Sequence, residues 1–336
     1  MERLTPEYYY RFCCLAAACP DSCCKEWEVD VDSVAAERYR ALDGPLGDRL
    51  RQVLRDASGR TYMTIENNRC PMWRKDGLCE VQCELGHDAL CTTCREYPRI
   101  LHDYGNFAER GLEMSCPEAA RLILTDMGLQ FRTEEVPGGE APEYDTEAMA
   151  TLRRSRTEIL HFLQNDTYSI PEALAVMLLF GYEVQAELDG GEAVRLEPEG
   201  ALSDGRKLAG TGDMIALFKF FEGLEILTDR WKLLLKNGPA PSRWHQVHRA
   251  LAQYFVWRYW LQAVSDYDLI GRVKLAVTAC LLVSAIDGEP VETAQLFSKE
   301  IENNPDNVEA ILDGAYISPA LTDTALLGLL LSNKKQ

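Results

Sequence analysis

Cysteine density constrains this chain more than any other feature: eleven of its twelve cysteines lie between Cys13 and Cys116, and only Cys280 stands apart. They fall in groups: Cys13-Cys14-x4-Cys19-x3-Cys23-Cys24, then Cys70-x8-Cys79-x3-Cys83-x7-Cys91-x2-Cys94, then Cys116 directly before Pro117. A chain with so many neighbouring thiols must oxidise them to disulfides, bind metal with them, or bury them as inert filler. Disulfides require an oxidising compartment, reached through a signal peptide. The first ten residues, Met-Glu-Arg-Leu-Thr-Pro-Glu-Tyr-Tyr-Tyr, contain no apolar stretch and no small-residue cleavage site, so a cytoplasmic chain with reduced thiols is expected. With 336 residues it can bury a core without covalent staples. Clustered thiols in a reducing compartment point to metal or iron–sulfur ligation, because the metal stabilises the thiolates and ties distant segments together.

Spacing is less informative about which metal. Thiolates suit both zinc and iron–sulfur clusters. A structural zinc commonly takes two close pairs, and only Cys91-x2-Cys94 supplies one cleanly. The C-x3-C-x2-C triad of radical enzymes that use S-adenosylmethionine is absent: its third ligand would fall on Glu26 or on Gly86.

The formal charge of −18 weighs against nucleic acid, whose phosphates require a basic face. No apolar run reaches the ~18 residues that span a bilayer, so no membrane association is expected. The longest run, 275–286, is interrupted by Thr278 and Ser284 and fits a buried helix.

Along the chain, 27–32 alternates as a short strand would, and 33–57 has helical periodicity broken near Gly44-Pro45. Residues 61–116 are rich in turn pairs such as Asp76-Gly77 and Tyr97-Pro98, a region where coordination would replace packing. A helix is predicted over 117–129, with Ala119, Leu122, Ile123 and Met127 on its apolar face. The stretch 133–147, with Pro137-Gly138-Gly139, Pro142 and six carboxylates, reads as a linker. Helices follow over 145–164, 171–188, 213–236, 242–265 and 268–286, with 190–212 as a Gly-rich connection. The expected architecture is mainly α: a loop-rich cysteine-cluster metal-binding domain over 1–132, an acidic Pro/Gly linker over 133–147, and an all-α helical domain over 148–336.

The blocks Phe12-Cys13-Cys14, Cys23-Cys24-Lys25-Glu26-Trp27, Cys70-Pro71, Leu78-Cys79, Leu90-Cys91-Thr92-Thr93-Cys94-Arg95-Glu96-Tyr97-Pro98-Arg99 and Ser115-Cys116-Pro117-Glu118 resemble the flagellin lysine-N-methylase (FliB-type) family. They also resemble the wider group of zinc- or iron-chelating cysteine-cluster domains. The resemblance is specific over the first 122 residues and looser in the helical blocks beyond. It implies a cytoplasmic enzyme that methylates lysine ε-amines of flagellin, with S-adenosylmethionine as methyl donor and a [4Fe–4S] cluster, zinc being the alternative metal. The family's recurring cysteines fall here on Cys14, Cys19, Cys23, Cys24, Cys70, Cys79, Cys94 and Cys116. Cys13, Cys83 and Cys91 look like additions.

The chemistry sets its own requirements. A lysine amine attacks a methyl sulfonium only when neutral, so the site must lower its pKa. The cationic donor favours aromatic faces or carboxylates. Trp27, Trp73, Tyr97 and Tyr104 lie in or between the cysteine groups and are candidates for the pocket, each with packing as its plainer reading. Arg95 and Arg99 flank Tyr97-Pro98 and suit either a carboxylate anchor or structural ion pairs. Two other readings of the whole chain stand beside the enzyme: a non-catalytic metal carrier, and a zinc-stabilised protein-interaction scaffold.

Weaker signals read as structure. Gly210-Thr211-Gly212 has no strand before it and lacks the third glycine of a nucleotide loop. His245-x2-His248 shares one helical face without a third ligand. Tyr254, Phe255, Trp257, Tyr259 and Trp260 read as helix core, and Cys280 as buried filler.

Overall fold

The computed structural model describes residues 1–125 and 129–331 and is mainly α-helical. Its strands are β1 (Glu2–Pro6), β2 (Val29–Asp30), β3 (Leu54–Ala57), β4 (Arg60–Met63), β5 (Arg99–Asp103), β6 (Phe107–Leu112) and β7 (Phe131–Glu135). They form two small sheets, ordered β5-β6-β1-β7 and β2-β4-β3. In the larger sheet β1 runs parallel to β6 and antiparallel to β7, with Glu2 opposite both Phe107 and Glu135. The β5-β6 turn needs a left-handed residue, which Gly105 supplies at φ +82°.

The expected linker therefore begins inside a strand. Residues 133–135 belong to β7, and the amino terminus donates to the Val136 carbonyl at 2.8 Å. Of the acidic residues that suggested a linker, Glu134 is matched across the sheet by Arg3 at 2.7 Å, and β7 is held further by Arg132–Glu7 at 2.7 Å.

Beyond Asp145 the described elements are all helical. The helix Leu269–Ala285 is buried on every side, as its predominantly apolar character demands. It packs against Ile170–Leu188, Gln246–Tyr259 and Pro305–Ile317. Its lysine, Lys274, is satisfied by the Ala315 carbonyl at 2.7 Å and by Asp323 at 2.9 Å. At the entrance of Ile170–Leu188, the Glu172 carboxylate accepts from the Ser169 backbone at 3.1 Å, closing a capping turn.

Two helix assignments differ in kind from expectation. The helix over 213–236 is two, Met214–Glu222 and Asp229–Lys236, because buried Glu300 accepts from the backbone of Leu227 (2.7 Å) and Thr228 (2.9 Å) between them. The Gly-rich connection contains the helix Pro198–Leu208, whose Gly205 lies against Leu179 and Leu331; a Cβ there would stand 3.2 Å from each. The helix at Pro117 is described to Thr125, and Met127 lies outside the described residues.

Two hydrophobic cores result. The larger unites Tyr8, Phe107, Leu112 and the helix Pro117–Thr125 with the helical half of the chain. The smaller comprises fifteen buried residues between Val29 and Cys91, three of them alanine. The sheet is joined to the helical body by a buried ion pair: Arg156 spans both oxygens of Glu109, one at 2.8 Å, and lies 4.3 Å from the Trp257 ring centre.

Candidate functional site

The cysteine segments have little regular structure and are drawn together by backbone contacts. The Cys70 amide donates to the Cys24 carbonyl at 2.8 Å, and Lys25 bridges Arg69, which zips the first group to the second. Asp32 caps two helices at once, accepting from Ala35 at 3.0 Å and from Thr92 at 2.7 Å. The second bond fixes the start of Thr92–Glu96, the short helix that carries Cys94. Cys116 is set at the head of Pro117–Thr125, its carbonyl accepting from Ala120 at 2.8 Å.

The outcome is one cavity of about 320 Å³ with nine thiols in its wall: Cys14, Cys19, Cys23, Cys24, Cys70, Cys79, Cys91, Cys94 and Cys116. All eight cysteines singled out in the sequence meet there. Cys91, treated above as an addition, joins them and is 2% exposed, whereas Cys13 and Cys83 lie outside. The signal for Cys91 was present in its C-x2-C spacing to Cys94. Among the described residues no three His, Cys, Asp or Glu side chains converge as ligands of a single ion.

Electrostatics divides these sulfurs. Burial pushes the Cys70 thiol up to about 12 and Cys116 up to about 11, and raises Cys19 and Cys79 for the same reason. Within Cys23-Cys24 and within Cys91/Cys94 one thiol donates to the other, favouring the thiolate at Cys24 and at Cys91 and raising Cys23 and Cys94. Each pair thus holds one sulfur close to the ligating form. Cys23 and Cys94 are exposed residues that line both cavities.

A second cavity, of about 480 Å³, adjoins the first and shares Cys23, Val29, Cys94 and Tyr97 with it. Trp27 and Tyr97, whose ring centres are 6.0 Å apart, form its aromatic side. The helical half contributes Leu227, Lys299, Glu300 and Glu302, and Glu113 comes from the end of β6. Lys299, with 2% of its side chain exposed, pairs with Asp21 at 2.9 Å and also with Glu26. Gln295, one turn earlier, donates to Asp21 at 3.1 Å and to the Ser115 carbonyl at 2.7 Å. One helix, Pro290–Ile301, therefore straps down the loop between Cys19 and Cys23.

Glu302 is anchored at one oxygen. Its Oε2 accepts from Tyr254 and Tyr259, each at 2.9 Å, and lies 2.9 Å from Arg258 Nε. Arg258 also reaches Glu113, at 3.4 Å. Burial raises the Glu113 carboxyl despite that neighbour. Sequence reading missed Glu113, Lys299 and Glu302, since nothing local marks them.

The other candidates divide between the cavities and the scaffold. Arg95 and Arg99 lie in the wall of the thiol cavity, Arg95 pairing with Glu96 at 3.1 Å and Arg99 lying over the Phe12 ring at 5.1 Å. Trp73 borders neither cavity and carries Arg69 on its face at 3.8 Å. Tyr104 stacks on Phe107 at 4.7 Å beside the β5-β6 turn, also away from both. His248 accepts from the His245 backbone at 3.0 Å, a capping contact. Gly210 and Gly212 admit the helix Asp323–Leu331: a Cβ on Gly328 would come 2.3 Å from the Gly210 carbonyl. Asp213 caps the next helix through Ile215 at 2.9 Å, placing a carboxylate where a phosphate would bind. The aromatic run Tyr254–Trp260 and Cys280 are buried.

Fold and site define a mainly helical protein built around a thiol-lined cavity, with a carboxylate- and aromatic-lined cavity beside it. Over 128 residues, 36% of its length, the chain is 33% identical to the flagellar biosynthetic protein FliU of Salmonella muenchen and covers 76% of it. It is 33% identical to the lysine-N-methylase of Salmonella typhimurium and 32% identical to that of Salmonella choleraesuis, again over 128 residues. The chain belongs to this lysine-N-methylase and FliU family. The match spans about a third, 32%, of each lysine-N-methylase. No protein-family model and no solved structure matches the chain. No helix among the described residues is long and apolar enough to cross a membrane.

Proposed function

We infer that the chain is a protein-lysine N-methyltransferase that acts on flagellin lysine ε-amines in the cytoplasm, with S-adenosylmethionine as methyl donor and a [4Fe–4S] cluster. The observation that carries this reading is the junction of the two cavities at Cys23 and Cys94, in a chain whose relatives are named lysine-N-methylases. The thiol cavity fits the cluster: its donors are soft sulfurs, and they exceed the four that one cluster takes. Four of Cys14, Cys19, Cys23, Cys24, Cys70, Cys79, Cys94 and Cys116 would hold it, with Cys91 a ninth candidate. When bound, such a cluster supplies redox-active iron whose properties depend on burial and nearby hydrogen bonds.

Methyl transfer forms a nitrogen–carbon bond and breaks the donor's carbon–sulfur bond, whose electron pair remains on sulfur as S-adenosylhomocysteine leaves. The lysine ammonium gives up one proton before the attack. Trp27, Tyr97 and Leu227 give the second cavity an apolar side, which favours the neutral amine. The acidic cavity wall accords with a cationic substrate and with the absence of nucleic acid from the expected partners.

Anaerobic purification followed by metal and sulfide analysis tests the cofactor: about four irons and four sulfides per chain are expected. Labelled donor incubated with flagellin should then yield methyl-lysine. A cluster-replete preparation that transfers no label overturns the enzyme reading. Zinc alone, at fixed stoichiometry, would replace the cluster with a structural metal.

A further inference from the structure

We propose that the second cavity is the acceptor subsite, taking a lysine side chain with its stem along Trp27 and Tyr97 and its ammonium on Glu302. The assignment deepens the methyltransferase reading and rests on it for the identity of the reaction, not for the binding.

The argument begins with Glu302. Its side chain is 2% exposed, yet only Oε2 is engaged, by the two tyrosine hydroxyls and Arg258. Oε1 is buried with no hydrogen-bond partner, and Glu302 is one of the residues lining the cavity. A buried carboxylate oxygen left without a donor is costly, so a ligand that donates there gains what the apo protein lacks. Charge points the same way. Glu113 and Glu302 share the single guanidinium of Arg258, leaving one negative charge over. Lys299, the other cation in the wall, is already engaged by Asp21 and Glu26. A ligand for this space must therefore be cationic.

Shape narrows the class further. The tilted rings of Trp27 and Tyr97, with Val29 and Leu227, provide an apolar surface suited to a methylene chain. A free carboxylate on the ligand would meet the same excess negative charge. A lysine within a polypeptide has none, so the geometry favours a peptide-borne lysine over the free amino acid. The cavity's contact with Cys23 and Cys94 brings the amine to the boundary of the thiol site. Glu302 is then placed to hold the ammonium and to receive its proton.

The probe is N-acetyl-lysine-N-methylamide, titrated calorimetrically into the anaerobically purified full chain. Binding is expected for this probe and not for the isosteric norleucine derivative. Glu302→Gln keeps an acceptor for Tyr254 and Tyr259 but removes the charge, and should weaken binding about tenfold or more. Leu227→Trp, at a wall position 39% exposed, should fill the cavity without disturbing the core and abolish binding. Equal binding of the norleucine derivative overturns the proposal, as does unchanged affinity in both variants. Should Glu302→Gln fail to fold, Leu227→Trp decides alone. Probe binding without methyl transfer leaves the subsite standing and removes the methyltransferase reading. Transfer to flagellin with an unchanged KM in both variants does the reverse.

Discussion

The two cores of this molecule are held by different physics. The helical core is continuous and aromatic-rich, centred on Leu269–Ala285, and accounts for itself by burial. The smaller core has fifteen buried residues, three of them alanine, around strands of two to four residues. So little apolar surface stabilises a fold only marginally. What it has in addition is nine thiols around one cavity and a strap from the helical half. The comparison teaches that inter-region ion pairs, together with the coordination proposed for the thiols, would supply in one region what packing supplies in the other.

The largest expected effect breaks that comparison outright. Removing metal with a chelator should unfold 19–94 while leaving 146–331 folded, because structural metal binding contributes on the order of 10 kcal/mol to small sites. Hydrogen exchange would report the first region losing protection alone; uniform loss would mean that the cores are one cooperative unit. Next comes the strap. Lys299→Met leaves Asp21 and Glu26 with only the part-exposed Lys25 as a cation and should cost about 1–3 kcal/mol, read as faster exchange in the loop between Cys19 and Cys24.

Acid should sharpen the contrast from the helical side. Burial holds the His248 ring neutral, its pKa lowered to about 4. Between pH 6.5 and 4 the unfolded chain binds a proton that the folded chain refuses, so stability rises with pH across this window. Acidifying from 6.5 to 4 should cost the helical core up to about 3 kcal/mol, a slope that His248→Gln flattens in denaturant titrations.

The smallest effect concerns Asp32, whose carboxyl is held down to about 2 by the Thr92 and Ala35 amides. Its contribution is present above the ordinary carboxylate pKa near 4 and lost as pH falls towards 2. Because the group is only partly buried, Asp32→Ala should cost only about 1 kcal/mol at neutral pH, read as a lower melting temperature of the smaller core.

Much of the fold was legible because it is locally encoded. Periodicity placed Thr146–Gln164, Ile170–Leu188 and Leu269–Ala285 to within a residue or two of their ends, and Gly44-Pro45 marked the break after Ser33–Ala41. The strand β7 was not legible, since its polar run becomes a strand only when β1 lies beside it. Nor was the break before Thr228, which a glutamate more than seventy residues away imposes.

The sequence by itself determined the grouping of the thiols and the architecture: clustered cysteines in the first third, amphipathic and buried helices in the remainder. Both follow from residue type and short-range spacing. Only the tertiary structure decided that Cys91 joins the cavity while Cys13 and Cys83 do not, and that Trp27, Tyr97, Glu113, Lys299 and Glu302 meet beside it. These residues are brought together from positions 27 to 302, and no local pattern records a meeting made by the packing of one half of the chain against the other.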